Sequence, residues 1–524
     1  MTTPVRTEQP SNGIRFERLL PLVLVVLVML VALLTVTPWP VGAYHDDAIY
    51  TMLAKALATG EGYRMINLPG SPHATHYPPG YPFFLSLLWR LSPSFPDNIV
   101  LFKFANAAWL AAAALGAWAF ARSRLHWYPL GSALAAVAGT LSIVVLLVTG
   151  VVLSEPMFMA LLFPALLLSE RAAEEGTTRY ALAAGLVCGM LALVRTLGGA
   201  ILPAALLVML LRRHYRGAVV MAASAAVLLV PWQLWMSAWQ HEVPPVLMGK
   251  YGAYGPWLAQ GVQEGGMPFM RDIVVANVKS IHGFTGYLFM PVRWAWPHVL
   301  ATTGVGILVA IGMAVFAKRS PVTLLFLLAY AAVVLLWPFD PDRFVLGIWP
   351  LLTLCGLAGV VAIWRWAPSH ASSRALRWVA LGSAAALVAG FAAFNGRGYR
   401  QQFWASMQRD AGRRAKPVVE WVALRTDTSD VLMTDDDLLV YLYTGRRGMP
   451  TSTFLPIDRL RPPSDSDNIA AVRAMIDAYA PRYYITTSQP GQRAAEALTV
   501  GNAPLLRRHR LIPNAYIYER ITTP

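Results

Sequence analysis

The strongest constraint on the fold is a series of apolar segments, each long enough or nearly long enough to cross a lipid bilayer. A spanning helix needs about 20 mostly apolar residues, and the bilayer core offers the backbone no other hydrogen-bond partners. Eleven such segments lie at about 19–38, 99–120, 130–149, 153–169, 180–196, 198–211, 217–237, 297–316, 321–338, 345–364 and 378–394. We therefore predict a mainly α, polytopic membrane protein with about eleven transmembrane helices.

The composition agrees with a membrane location for most of the 524 residues. Charged residues make up 14% of the chain, against roughly 25% in an average soluble protein. This deficit excludes a disordered chain and argues against a single soluble enzyme. The net charge of +15 is interpreted as loops and lipid-headgroup contacts rather than nucleic-acid binding. Cys188 and Cys355 both lie in apolar segments, so no disulfide or metal-binding cysteine motif is predicted.

The distribution of basic residues predicts the orientation. The first apolar segment is longer than a signal-peptide core and follows Arg6, Arg15 and Arg18, which favours a retained anchor with residues 1–18 in the cytoplasm. The connections then assigned to the cytoplasm hold 15 of the 25 Lys and Arg residues before position 396, the expected positive-inside bias. An odd number of spans places two large loops, about 39–98 and 238–296, and the C-terminal tail on the outer side of the membrane.

The tail, residues 396–524, has the composition of a solvated domain, with 18 basic and 13 acidic residues. The segments VVEWVALRT and DNIAAVRAMIDAYA predict helices, whereas DVLMT and RYYITT predict short buried strands. Alternating strands and helices indicate a small α/β domain. The tail contains no glycine-rich phosphate loop, so no nucleotide site is predicted.

An acidic pair, Asp46 and Asp47, follows the first span directly. Carboxylates at a membrane surface are costly unless they are solvated, paired or used. A carboxylate there can act as a general base toward an acceptor hydroxyl. The alternative is a structural role at the start of the next helix, AIYTMLAKALATG, which is amphipathic and predicted to lie along the membrane interface.

Further ionisable residues are predicted at the same side of the membrane. Glu155 either joins a functional site or caps the helix that begins near Pro156. Arg195 either extends to the membrane surface or pairs with Glu155 or a phosphate, and Arg343 either forms a local ion pair or binds a lipid phosphate. Lys279 and Arg293, in the second outer loop, are additional cations. The acids could activate an acceptor while the cations hold an anionic lipid donor, which makes a coherent site.

The segment His73-Ala-Thr-His76-Tyr77-Pro-Pro-Gly-Tyr-Pro82 combines two histidines with three prolines. The prolines favour a rigid turn into a helix. The histidines could instead bind a phosphate or, with Asp46 and Asp47, a metal ion. Two histidines in a loop are weak evidence for a metal, and no metal site is assigned.

The order of these motifs resembles that of the GT-C superfamily of integral-membrane glycosyltransferases. The similar group is the bacterial one that includes protein O-mannosyltransferase-like proteins and the lipid A aminoarabinose transferase. The motifs are the acidic pair followed by Tyr50, the YPPGYPFFLSLLW segment, Ser154-Glu155-Pro156, Asp342-Arg343-Phe344 followed by Pro350, and the α/β tail. The resemblance covers nearly the whole chain.

The resemblance implies a multi-pass protein of the bacterial inner membrane whose site faces the periplasm. It implies a sugar donor carried on a polyprenyl phosphate, displacement at the anomeric carbon, usually with inversion, and a lipid, glycan or protein acceptor. It implies that Asp46 is the general base and that Glu155 is a second acid near the acceptor. Asp47 stands where the family often has Glu. Arg343 is expected to face the donor phosphate. Some members use a divalent metal and others do not, so no cofactor is required by the resemblance.

The chain departs from the aminoarabinose transferase at one position. That enzyme has a lysine immediately before its Pro-Pro pair, where it helps to hold the carrier phosphate. Here Tyr77, preceded by His76, takes this position, which argues against aminoarabinose transfer.

Two other classes of protein fit the same hydrophobicity. A transporter or flippase of lipid-linked saccharides would show acids or broken helices at mid-membrane and similar halves, whereas here the ionisable residues lie at helix ends and the halves differ. A non-catalytic scaffold would not need the acidic pair.

Overall fold

The computed structural model describes residues 11–366, 371–501 and 503–521. Residues 1–10 of the predicted cytoplasmic N-terminus lie outside this range. The helices of the membrane region are α1 (Ser11–Ala32), α2 (Asp46–Ala58), α3 (Gly80–Leu91), α4 (Ile99–Arg124), α5 (Pro129–Thr140), α6 (Ile143–Thr149), α7 (Glu155–Glu175), α8 (Thr178–Val194), α9 (Ile201–Leu211), α10 (Tyr215–Trp239), α11 (Met248–Tyr251), α12 (Tyr254–Phe289), α13 (Ala295–Arg319), α14 (Pro321–Leu336), α15 (Asp342–Gly347), α16 (Trp349–Trp366) and α17 (Ala371–Gln401). The tail adds helices α18 (Phe403–Arg425), α19 (Asp437–Thr444), α20 (Asp465–Tyr479) and α21 (Gln489–Ala497), and strands β1 (Leu432–Thr434), β2 (Gly448–Met449), β3 (Tyr483–Thr486), β4 (Leu506–Ile512) and β5 (Ala515–Arg520).

The predicted fold class is confirmed: the chain is a multi-pass, mainly α membrane protein with a small C-terminal sheet domain. Within the described ranges, seven helices are long and apolar enough to cross a membrane, namely α1, α4, α7, α10, α13, α16 and α17. The other predicted segments correspond to the bent pair α5–α6 and to three shorter apolar helices, α8, α9 and α14. Exposed leucine and valine side chains, such as Leu30, Val219 and Leu234, are those expected to face lipid.

The predicted span at 130–149 consists of two helices that meet at an angle of 61°. At the bend, backbone groups lose their helical hydrogen-bond partners. Two side chains of α17 form hydrogen bonds with these groups. Asn395 Oδ1 accepts from the amide of Ile143 at 2.6 Å, and the hydroxyl of Tyr399 donates to the carbonyl of Leu141 at 2.7 Å. A broken helix is stable at membrane depth when neighbouring side chains take over its hydrogen bonds.

Both outer segments contain helices that pack into the protein. In the first, α2 is the predicted helix after the acidic pair, but nine of its thirteen residues are buried. It packs between α3 and α19, and its position along the membrane interface stays a prediction. In the second, α12 is 36 residues long and kinked at Gly266, whose φ is 59°. This helix was not predicted, because polar residues interrupt its apolar positions.

The predicted tail strands and helices are confirmed as β1, β3, α20 and the end of α18. The five strands form one sheet in the order β2-β1-β3-β5-β4, with β1 parallel to both β2 and β3 and the other pairs antiparallel. Helix α19 and the β4–β5 hairpin were not predicted. Helix α19 begins immediately after β1 and contacts α2, which brings the edge of the tail domain to the acidic pair.

A buried lysine connects the tail domain to the segment that carries the acidic pair. Lys103 of α4 is fully buried, and its Nζ donates to the carbonyls of Thr37 and Trp39 and to Oε1 of Gln408 on α18, at 2.5–3.0 Å. Gln408 in turn donates to the carbonyl of Gly150 at 2.9 Å. The start of the first outer segment, α4 and α18 therefore share one hydrogen-bond network.

Helices α13 and α16 approach each other closely at two glycines. A Cβ added to Gly312 would lie 1.9 Å from the carbonyl oxygen of Cys355, and one added to Gly359 would lie 2.1 Å from that of Leu308. Small residues at helix contacts allow such close backbone approach in membrane proteins.

We predict that Gly359→Ala lowers the free energy of unfolding by about 2 kcal/mol, because the new methyl group forces α13 and α16 apart. Gly356→Ala is the matched control, since nothing lies within 4 Å of a Cβ at that position on the same helix. It should leave the stability unchanged or raise it, because alanine is the better helix former. Thermal unfolding midpoints in detergent measure both effects, and equal midpoints for the two variants would contradict this packing argument.

Candidate active site

The backbone around the acidic pair aims the two carboxylates in different directions. His45, immediately before α2, has a φ of 60°, a conformation that costs energy for a residue with a side chain. Asp47 is fully buried and accepts hydrogen bonds from the backbone amides of Gly42 at 2.8 Å and Tyr44 at 3.1 Å. Its carboxylate thus holds the turn that precedes α2, whereas Asp46 projects toward residues of other helices.

Asp46 belongs to a network of two acids and two arginines from four parts of the chain. Arg343 of α15 donates from Nη1 to Oδ2 of Asp46 at 2.8 Å and from Nη2 to Oε1 of Glu155 at 2.9 Å. Arg195, which follows α8, reaches the same Oε1 atom at 2.8 Å. The two negative and two positive charges cancel, which compensates for the cost of burying them.

Tyr77 completes the surroundings of Asp46. Its hydroxyl donates to Oδ1 at 2.7 Å. Burial acts to raise the pKa of Asp46, but the positive charge of Arg343 and the hydrogen bond from Tyr77 outweigh it, so the pKa lies below its ordinary value. Asp46 is therefore ionised at neutral pH.

A second layer of polar side chains supports the network. Ser154, immediately before α7, accepts a hydrogen bond from Arg195 at 3.2 Å, and its Oγ lies 3.2 Å from the hydroxyl of Tyr50. Tyr50 lies one helical turn after Asp46 on α2 and packs edge-on against the rings of Tyr77 and Tyr81. Glu155 is fully buried, and its Oε2 has no hydrogen-bond partner among the described residues.

The two histidines of the proline-rich segment make different contacts. His76 Nδ1 lies 2.6 Å from the carbonyl of Gly252, so it carries the proton and donates. Burial lowers the pKa of His76 to about 4, and the neutral ring then offers its Nε2 as an acceptor, which does not favour a phosphate. His73 contacts Glu242 at 2.8 Å and stacks on Trp239.

The remaining predicted cations lie apart from this network. Lys279 on α12 and Arg293 after it are both exposed, and no hydrogen bond or ion pair joins either to the described part of the acidic network. Within the described ranges, no group of three or more His, Cys, Asp or Glu side chains is placed to hold a metal ion.

A cleft of about 430 Å³ opens beside Asp46. Its size is that of a small-molecule site. Residues of the first outer segment, the second outer segment, the loop before α15 and the tail line it: His45, Asp46, His76, Tyr77, Gly249, Lys250, Phe339, Asp340, Phe454, Asp458 and Arg459. A second cavity of about 430 Å³ shares His45 and Lys250 and is bounded by Tyr44 and by Asp435 and Asp436 of the tail.

Sequence reasoning did not assign Lys250, Phe454 or Arg459 to the site. Lys250 lies in the second outer loop, and nothing in the sequence distinguishes it from Lys279. Phe454 and Arg459 lie about 400 residues after Asp46 in a segment without a recognisable motif. Tertiary packing alone brings them to the cleft.

Comparisons with known proteins support the fold. No protein-family model and no curated protein matches the sequence. The crystal structure of ArnT from Cupriavidus metallidurans bound to undecaprenyl phosphate is similar over 96% of this chain and 98% of that one, with 13% identity and a TM-score of 0.50. The apo structure of the same protein is similar over 95% and 97%, with 14% identity and a TM-score of 0.51.

The cryo-EM structure of arabinofuranosyltransferase AftD from Mycobacteria aligns with 100% of this chain and 41% of that one, with 14% identity and a TM-score of 0.46. The two ArnT comparisons establish a common fold over nearly the whole chain. The GT-C resemblance predicted from the sequence motifs is thereby confirmed at the level of the fold.

A buried acid joins the tail domain to both outer segments. Asp437, at the start of α19, accepts from the hydroxyl of Tyr251 and from Nδ2 of Asn67 at 3.2 Å. Burial raises the pKa of Asp437 to about 6. The folded state therefore favours the neutral carboxyl, and stability falls as the pH rises from the unfolded value near 4 through about 6.

We predict that Asp437→Asn removes this pH dependence. Relative to the variant, the free energy of unfolding of the wild type should fall by about 2 kcal/mol between pH 4 and pH 7, because about two pKa units separate the folded and unfolded states. Thermal unfolding of both proteins across this range measures the difference, and parallel curves would contradict the prediction.

Proposed function

We propose that this protein is a glycosyltransferase of the bacterial inner membrane. It transfers a sugar from a polyprenyl-phosphate donor to an acceptor hydroxyl at the periplasmic side, with inversion at the anomeric carbon. The observation that carries the proposal is an ionised carboxylate, Asp46, at the wall of a small-molecule cleft and paired with Arg343. The shared fold with ArnT, one structure of which holds undecaprenyl phosphate, supports the donor class.

Asp46 is the general base of the proposed reaction. It lines the cleft and is ionised at neutral pH, so it can accept the proton of an acceptor hydroxyl while the hydroxyl oxygen attacks the anomeric carbon. The bond between that carbon and the phosphate oxygen breaks, and the polyprenyl phosphate leaves. Asp47 has a positioning role, because both of its oxygens accept backbone hydrogen bonds.

Arg343 binds the donor phosphate and controls the base. With its side chain about one quarter exposed, it donates to both acids of the network. A phosphate that draws Nη1 away from Asp46 takes over that hydrogen bond and leaves Oδ2 available to the acceptor. The pKa of Asp46 then rises toward its ordinary value, which makes it a stronger base once the donor is bound. Glu155 and Arg195 hold the other end of the guanidinium in place.

The orientation follows from the positive-inside distribution of the short loops and places the cleft and the tail domain in the periplasm. At that side the acceptor can be a lipid, a cell-wall glycan or a protein. No step of the proposed reaction needs a cofactor, since Arg343 offsets the charge of the leaving phosphate.

We predict that Asp46→Asn lowers the rate of transfer by at least about 100-fold, because general-base catalysis contributes 10²–10⁴-fold. Purified protein in nanodiscs is offered a panel of undecaprenyl-phosphate sugars with a cell-envelope extract as acceptor, and release of undecaprenyl phosphate is measured. Asp272→Asn is the control, since Asp272 is half-exposed on α12 and pairs with the neighbouring Arg271.

Full release by Asp46→Asn would contradict the assignment of Asp46 as the general base. The protein would still be a transferase, with another base. Absence of sugar-dependent release by the wild type, together with transport of the intact lipid-linked sugar across the bilayer of vesicles that contain the protein, would support the flippase alternative instead. Asp47→Asn is expected to lower the unfolding midpoint, because it removes a carboxylate oxygen that orders the turn before α2.

A further inference from the structure

The tail domain reaches the cleft through one short segment, Phe454–Arg459. This segment includes a 3₁₀ turn at Pro456–Arg459, whose start is held by Asp458 Oδ2 accepting from the amide of Leu455 at 2.7 Å. Phe454, Asp458 and Arg459 line the cleft together with Asp46. The tail domain thus places three side chains beside the candidate base, which indicates a role in the site beyond covering the membrane region.

Two glycines of the second outer segment allow this segment to dock closely. A Cβ added to Gly249 would lie 1.6 Å from the carbonyl oxygen of Phe454, and one added to Gly261 would lie 2.5 Å from Pro456. The indole Nε1 of Trp257 donates to the same carbonyl of Phe454 at 2.9 Å. The position of Phe454 in the cleft is therefore determined by backbone contacts and does not depend on its side chain alone.

Phe454 extends an aromatic surface that begins on the membrane region. Its ring lies 4.9 Å from that of Phe339 and is stacked at 5.6 Å on Trp257. Both Phe339 and Phe454 line the cleft and are partly exposed. The C–H faces of a sugar ring pack against such surfaces, because the ring face of an aromatic side chain is apolar and electron-rich.

Arg459 adds a hydrogen-bond donor beside this surface. Its Nε donates to Oδ1 of Asn277 at 3.0 Å, which orients the guanidinium, while its Nη2 is buried and has no hydrogen-bond partner among the described residues. Lys250, on the same cleft, donates to Ser452 at 3.2 Å and forms no ion pair with a described carboxylate. In contrast to Arg343, Arg459 and Lys250 both line the cleft without an ion pair to a described carboxylate, so their charge is available to a bound molecule.

We infer that the segment Phe454–Arg459 recognises the sugar of the lipid-linked donor, which lies against Phe339 and Phe454 with its hydroxyls bonded to Arg459. This inference rests on the proposed function. A phosphate at Arg343 places the attached sugar next to Asp46, and the cleft that Asp46 lines is the one these tail residues share. The tail domain thereby determines which sugar is accepted, while the membrane region binds the lipid phosphate.

The test compares binding of undecaprenyl phosphate with binding of undecaprenyl phosphates that carry mannose, glucose or arabinose, measured by native mass spectrometry in detergent. The wild type should bind at least one loaded lipid more tightly than the free lipid. Phe454→Leu should weaken binding of that loaded lipid by about fivefold and leave binding of the free lipid unchanged. Phe454→Trp should retain the affinity for the loaded lipid. Arg459→Gln should act like Phe454→Leu, and Arg461→Gln, an exposed residue two positions later, should have no effect.

The outcomes separate this inference from the proposed function. Failure of the wild type to bind any of these lipids would overturn the proposed function itself. Equal binding of loaded and free lipid by the wild type would overturn sugar recognition by the tail. An equal loss of affinity for both lipids in Phe454→Leu would overturn it as well. Loss of transfer with unchanged binding of the loaded lipid would assign the aromatic surface to the acceptor and would also overturn the inference.

Discussion

The site depends on the mutual neutralisation of four charged groups that would each be costly to bury alone. Arg343 bridges Asp46 and Glu155, and Arg195 approaches the same oxygen of Glu155. Removing one member would leave an uncompensated charge at a helix end, a loss of about 3–5 kcal/mol for a buried pair. The ion pairs therefore fix the relative positions of the loops that carry these residues. The charge balance also limits which substitutions the site tolerates.

The same balance has a chemical consequence for the proposed reaction. A carboxylate bound by a guanidinium and a phenol is a weak base, because both contacts stabilise its ionised form. An incoming phosphate competes for Arg343, so donor binding and activation of Asp46 are coupled through one side chain. Glu155 keeps the arginine in place during this exchange, since it contacts both Nε and Nη2.

Buried hydrogen bonds and one close backbone contact hold the tail domain against the membrane region. Lys103 connects α4 to the first outer segment and to Gln408 of α18, and Gly249 admits the carbonyl of Phe454 at a distance that no side chain would permit. Asp437 adds a hydrogen-bonded contact to both outer segments. These contacts make the tail part of the cleft and explain why one segment of it can affect substrate recognition.

The sequence by itself determined the membrane-spanning helices, the α/β character of the tail and the identity of the main charged residues. Hydrophobic length and strand or helix periodicity are local properties, and acids or arginines at the ends of apolar segments stand out against a background of few charges. Only the tertiary structure decided that Asp46 faces the cleft while Asp47 holds a turn, since Asp46 pairs with Arg343 from a distant helix and Asp47 accepts hydrogen bonds from the amides of Gly42 and Tyr44. It also decided that the span at 130–149 bends, and that Phe454 and Arg459 reach the cleft. Contacts between residues hundreds of positions apart depend on packing that no local pattern records.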